Sequence, residues 1–146
     1  VGEAGPSGAD LLVRAGQLVL GARRARAAEH GLSLTAVRVL EELARAGGGL
    51  VQRELAARVR ITPPTLTPVL DVLEAAGLAT RTTDGVDRRL RRVVITGPGH
   101  ARLRDAVAAT HGPRLPEPPA AHADAVREYL VAVIAFLEQD RRDAPL

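Results

Sequence analysis

Between Leu50 and Thr96 the hydrophobic period of the chain changes from helical to alternating, with proline and glycine placed at each break, and few arrangements satisfy that order. From Gln52, the residues Leu55, Ala56 and Val59 share one helical face, leaving Arg53, Glu54, Arg58 and Arg60 outside it. Arg60-Ile61-Thr62 interrupts this pattern. Pro63-Pro64 then follows where proline is tolerated, because first-turn N–H groups have no intrahelical partner, and Thr62 is the expected N-cap. In the next helix Leu66, Val69, Leu70, Leu73 and Ala76 face inward and Thr65, Thr67, Asp71 and Glu74 outward, with Gly77 as the stop. Leu78–Thr82 reads as a strand, Thr83–Asp87 as a turn and Leu90–Ile95 as a returning strand.

Helix, three-residue turn, second helix, glycine stop and basic hairpin in one run describe a winged helix-turn-helix, whose expected partner is double-stranded DNA. The exposed turn that starts at Pro64 is polar and uncharged. Thr65 and Thr67 are therefore the base-reading candidates in a major groove, able to donate, accept or touch a thymine methyl. Arg81 and Arg91 lie along the hairpin arms. Arg88 and Arg89 stand beside the hairpin turn, within reach of a minor groove whose negative potential attracts guanidinium groups. Asp87 would steady one of that pair by a charge-assisted hydrogen bond. An Arg-rich hairpin by itself is an ordinary edge that discourages strand pairing, so the conjunction of elements carries the reading.

The segments Leu55-Ala56, Ile61-Thr62-Pro63-Pro64-Thr65-Leu66-Thr67-Pro68-Val69-Leu70, Leu73-Glu74-Ala75-Ala76-Gly77-Leu78, Asp87-Arg88-Arg89 and Ile95-Thr96 with Gly99 resemble the multiple-antibiotic-resistance regulator (MarR) family. The resemblance runs in order and spacing over nearly the whole chain. It implies a homodimer, with a dimerisation helix in residues 1–34, a DNA-binding lobe in 35–97 and further dimerisation helices in 98–146. It also implies that Thr65 and Thr67 enter the major groove and Arg89 the minor groove. The family generally represses genes and leaves DNA when a small phenolic or lipophilic molecule, or an oxidant, reaches the cleft between the two domains. The cleft walls implied here are Arg14, Leu18, Leu34, Arg38 and Leu103, with Arg14 or Arg38 available to an aromatic acid's carboxylate.

Two departures bear on this. Pro68 stands where many members carry an Arg or Lys that touches DNA, and it lacks an N–H and crowds the carbonyl of Pro64, so a bent or tightened first turn is expected. The Leu66-Thr67-Pro68 run resembles the organic-hydroperoxide-sensing branch, which senses through cysteine. This chain has neither cysteine nor methionine, which excludes oxidation of those residues as its switch.

All 20 basic residues of the 146 are arginine, against 17 acids. Eight arginines and five acids lie between Gly47 and His100, whereas Ala101–Leu146 holds six and seven, so the positive balance sits around the hairpin. No apolar run approaches the roughly 20 residues of a membrane span, and no signal-peptide pattern occurs, so a cytoplasmic protein without a membrane partner is expected.

The flanks read as helices. Ala9–Glu29 carries Leu11, Leu12, Ala15, Leu18, Val19 and Ala22 as a stripe, and Thr35–Ala46 turns Val39, Leu40 and Leu43 inward, with Ser33 or Thr35 near its cap and Gly47-Gly48-Gly49 as a flexible exit. Pro98–Thr110 carries Leu103 and Val107, and 112–119 is a proline-rich loop. In the last helix, about Ala121–Arg141, apolar residues from Val126 to Leu137 cover too wide an arc for one solvent-facing helix, which asks for a second copy. A symmetric dimer would present two recognition helices about 34 Å apart, one DNA turn, and so predicts a pseudo-palindromic operator.

The expected fold is mainly α with a small β-hairpin wing. The four histidines are scattered, and no Gly-x-Ser-x-Gly, P-loop or dinucleotide pattern occurs, so no enzyme activity, cofactor or metal is expected. The rival reading is a winged helix used as a protein-interaction or assembly module. The uncharged second helix favours that reading, and the four arginines at 88, 89, 91 and 92 oppose it.

Overall fold

Capping residues set where each helix begins. In the computed structural model, which describes residues 5–83, 86–87, 90–110 and 115–143, α1 (Gly8–Glu29) starts from a capping box in which Ser7 Oγ accepts from the Asp10 N–H and Asp10 accepts from the Ser7 N–H. The Ser7 hydroxyl, which donates to the Asp10 carboxyl at 2.6 Å, and then the Ser7 N–H hold that carboxyl below the usual carboxylate range. Ser33 caps α2 (Leu34–Ala46) through the Ala36 N–H. Beyond α2 come β1 (Leu50–Val51), α3 (Gln52–Val59), α4 (Pro63–Ala75), β2 (Ala79–Thr83), β3 (Arg91–Ile95) and α5 (Gly97–Thr110). A 3-10 turn (Ala120–His122) leads into α6 (Ala123–Asp143). Among the described residues no helix is long and apolar enough to cross a membrane.

Contacts divide the chain into two compact units, Val1–Pro113 and Arg114–Leu146. Within the first unit α1 and α5 both pack against α2, with Leu103 and Ala106 of α5 in the same core as Val39, Leu40 and Leu43. Arg102 ties α5 to the α1 terminus by donating to the His30 carbonyl at 2.9 Å. The core continues through Leu55, Ala56 and Val59 of α3, Leu66, Leu70 and Leu73 of α4, and Val93 and Ile95 of β3.

The sheet has the order β1-β3-β2, all antiparallel, with Leu50 opposite Val93 and Ala79 opposite Ile95. The strand β1 has no counterpart in the sequence reading, since two residues show no alternation. It also revises the flexible exit at Gly47-Gly48-Gly49. At Gly49, φ is +83° and a Cβ would lie 2.6 Å from the Val93 carbonyl oxygen, so this glycine lets the chain pass close under β3. Arg92 closes the same turn by donating to the Gly49 carbonyl at 2.9 Å.

Two expectations about apolar faces need correction. Ala76, expected inward, is exposed as the C-cap of α4. On α1 only Leu12, Val19 and Ala22 of the stripe are half-buried, while Leu11, Ala15 and Leu18 remain exposed. In the second unit α6 exposes Tyr129, Val131, Ile134, Phe136 and Leu137.

Candidate nucleic-acid interface

The two central helices meet across a tight reversal. Arg60 adopts φ 59° and ψ 45°, the left-handed region, and the Ile61 N–H donates back to Ala56 at 3.0 Å, which ends α3 and seats Ile61 on the core. Arg38 of α2 donates to the Val59 carbonyl at 2.7 Å, satisfying one of the acceptors that a helix end leaves open.

Thr62 occupies the N-cap position of α4, but its side chain makes no capping bond. The reason is local chemistry. Pro63 and Pro64 have no N–H to satisfy, and the Thr65 and Leu66 N–H groups both donate to the Thr62 carbonyl at 3.0 Å. The Thr62 hydroxyl bonds instead to the Thr65 hydroxyl at 2.8 Å. Thr67 donates to the Pro63 carbonyl at 3.1 Å and accepts from the side-chain amide of Gln52, on α3, at 3.2 Å. The first turn of α4 is thus braced both internally and from the preceding helix. The Thr65–Thr62 bond is of the tight i to i+3 kind, and the helix continues through Pro68 to Ala75.

Pro64, Thr65 and Thr67 are all exposed on this turn. Arg81, expected as a DNA contact, is committed elsewhere. Its guanidinium lies 2.7 Å from Asp71 and 2.8 Å from Glu74 of α4 and donates to the Thr67 carbonyl at 3.3 Å, with its side chain only 17% exposed. The residue therefore clamps α4 onto β2 and offsets the two carboxylates of α4. Arg91 is exposed at the far end of β3, opposite Thr83. Arg88 and Arg89 lie outside the described residues, and so does any bond from Asp87 to them. The Asp87 carbonyl accepts the Leu90 N–H at 3.0 Å.

Thr96 and Gly99 close the junction where β3 passes into α5. Thr96 donates its hydroxyl to the Gly77 carbonyl at 2.6 Å and accepts the Gly99 N–H at 3.0 Å, linking the end of α4 to the start of α5. A Cβ on Gly99 would lie 2.0 Å from the Leu78 carbonyl oxygen.

The five residues expected to wall a ligand cleft lie on α1, α2 and α5. Leu103 is buried core, Leu34 packs against it, Arg38 caps α3, and Arg14 and Leu18 are exposed on α1. None of them lines either of two surface clefts in the first unit. One, of about 290 Å³, lies between Leu32 and Ala36 on one side and Pro68, Val69 and Val72 on the other. The second, of about 450 Å³, is lined by Val51, Arg53, Glu54, Ala57 and Leu90. Among the described residues no group of three or more His, Asp or Glu could hold a metal ion.

Sequence reasoning missed Gln52, Arg38 and Arg92 as bracing residues. No local pattern marks them, because each acts on a partner distant in the chain.

A model of the MarR family matches residues 30–90. CouR from Rhodococcus jostii RHA1, in a crystal structure bound to p-coumaroyl-CoA, is 30% identical, with 86% of this chain and 90% of that chain covered and a TM-score of 0.68. A transcriptional regulator of the MarR family from Rhodococcus sp. RHA1 is also 30% identical, with the same coverage and a TM-score of 0.69. The transcriptional repressor CouR bound to a 23-mer DNA duplex matches at 26% identity, 92% of each chain and a TM-score of 0.67. No curated protein matches the sequence significantly.

Proposed function

This chain belongs to the MarR family of DNA-binding transcriptional regulators, and from that premise we propose that it is a homodimeric repressor of a pseudo-palindromic operator, released by a small aromatic or lipophilic ligand. The observation that carries the DNA reading is the braced, exposed first turn of α4, where Pro64, Thr65 and Thr67 stand on a helix fixed by Gln52 from α3 and Arg81 from β2. Rigid presentation lowers the ordering cost of docking into a major groove. Arg88, Arg89 and Arg91 of the wing would meet the flanking minor groove and phosphates, with Asp87 steadying the wing. Arg81 is assigned a positioning role in place of a contact.

A second copy is supported by the apolar surface that one chain leaves open: Leu11, Val13, Leu18 and Leu20 on α1, and Tyr129, Val131, Ile134, Phe136 and Leu137 on α6. Residues 1–34 and 98–146 would then serve dimerisation and 35–97 DNA binding. The ligand class is supported by CouR, whose bound p-coumaroyl-CoA is an aromatic acyl thioester. Such a ligand would favour a dimer in which the spacing of the two α4 helices no longer fits the duplex.

The test is selection of random duplex DNA by the purified protein, with affinity followed over a salt series. Recovery of an inverted repeat with half-sites about one turn apart supports the reading. Absence of any enrichment overturns it in favour of a protein-interaction module.

A further inference from the structure

We infer that α4 reads its operator chiefly through thymine C5-methyl groups and not through hydrogen bonds to purines; this rests on the DNA-binding reading above. In a major groove, guanine is read by a cationic or amide donor, adenine by Asn or Gln, and thymine by apolar contact with its methyl group, for which the threonine methyl is suited. From Pro63 to Ala75 the helix contains no Arg, Lys, Asn or Gln. Its two acids, Asp71 and Glu74, are held by Arg81.

The remaining polar groups are largely spent inside the protein. A threonine hydroxyl has one hydrogen to give. Thr67 gives its own to the Pro63 carbonyl, and one of the two shared by Thr62 and Thr65 lies between them. Of three hydroxyl hydrogens, one is left for DNA. Gln52 spends one amide N–H on Thr67 and is itself half-buried on α3.

What the turn retains outward is hydrocarbon. Pro64 and Pro68 contribute exposed rings, Thr65 and Thr67 are exposed residues bearing a methyl group, and Val72 one turn on is 63% exposed. Pro68 adds to this surface and, lacking an N–H, supplies no donor. A face of this kind discriminates bases by shape and by burial of methyl groups.

The test begins with the operator recovered by selection. Deoxyuridine is then substituted for thymidine position by position, removing only the C5 methyl, and 7-deazapurines are substituted separately, removing only the N7 acceptor. Both changes lie in the major groove, so minor-groove contacts of the wing do not register them. Burial of one methyl corresponds to about fourfold in affinity, so losing one in each of two half-sites should weaken binding by about fifteenfold. The 7-deazapurines under α4 should change affinity by less than about twofold on the same reasoning.

Thr67→Ser and Thr65→Ser keep the hydroxyl bonds and delete the protein methyl. At least one of them should weaken binding to the thymine operator while losing little further on the uracil version. A selected operator that binds equally well with uracil, or that loses more from 7-deazapurines, overturns the inference and leaves the repressor reading standing. Failure to select any operator overturns the repressor reading itself, and this inference with it.

Discussion

Arg81→Ala separates a positioning role from a DNA contact. In the folded chain the guanidinium bridges Asp71 and Glu74, whose side chains are 60% and 42% exposed, and donates to the Thr67 carbonyl. Exposed ion pairs contribute about 0.2–1 kcal/mol each after screening. Two such pairs, one further hydrogen bond and the packed stem of a largely buried arginine place the total near 1.5 kcal/mol. For a chain of this size that corresponds to a fall in Tm of about 3–6 °C. In an Asp71→Asn, Glu74→Gln background the same substitution should cost much less, because its partners are already neutral.

DNA binding provides the second readout. An arginine that touches phosphate contributes about 0.9 to the slope of log affinity against log salt, or about 1.8 across both halves of a dimeric site. Because Arg81 is committed to α4, the slope should stay nearly constant while affinity falls a few-fold, as two uncompensated carboxylates face the duplex. Thermal melts and a fluorescence-anisotropy salt series measure both quantities. An unchanged Tm with a slope lowered by nearly two units would refute the reasoning, since the guanidinium would then leave its acids for phosphate.

Gly99→Ala should destabilise the fold by about 3 kcal/mol in denaturant titrations, because its Cβ would fall 2.0 Å from the Leu78 carbonyl and 2.8 Å from Ile95 Cγ1; wild-type stability would show that α5 does not approach Leu78 and Ile95 as described. Pro68→Arg should strengthen binding to all duplexes and steepen the salt slope by about 0.9 per half-site, whereas no change in slope would place position 68 away from the phosphates. The start of α1 should loosen in acid. The folded Asp10 carboxyl titrates below its unfolded value, so its contribution is present in full above the unfolded value and is lost as pH falls through the lowered one. Amide exchange at Leu11 and its neighbours should rise over that window in the native chain and be insensitive to it in Asp10→Asn; equal pH dependence in both would remove the capping box from the explanation.

The helix-turn-helix and the wing were legible in the chain because their signals are local. Leu55, Ala56 and Val59, then Leu66, Leu70 and Leu73, repeat at the helical period and are buried. Pro63-Pro64 and Gly77 mark ends that backbone geometry would enforce in almost any context. Val93 and Ile95 alternate with more exposed neighbours, as a half-buried strand requires. The cap of α2 was legible to within Ser33 or Thr35 for the same reason, and the structure selects Ser33, whose bond reaches only to Ala36.

The sequence by itself determined the order and type of the main elements, the exposed threonines of α4 and the absence of thiol chemistry, since these depend on residues within a few positions of one another. Tertiary structure alone decided what several of the arginines do. Arg38 reaches Val59, 21 positions away, Arg92 reaches Gly49 at 43, and Arg102 reaches His30 at 72. An arginine at a promising place reads alike whether it faces DNA or a carbonyl of its own chain, because charge is local information and partnership is not. The same holds for Gly49, which reads as slack in a run of three glycines and becomes a close passage only when β3 returns to pair with β1.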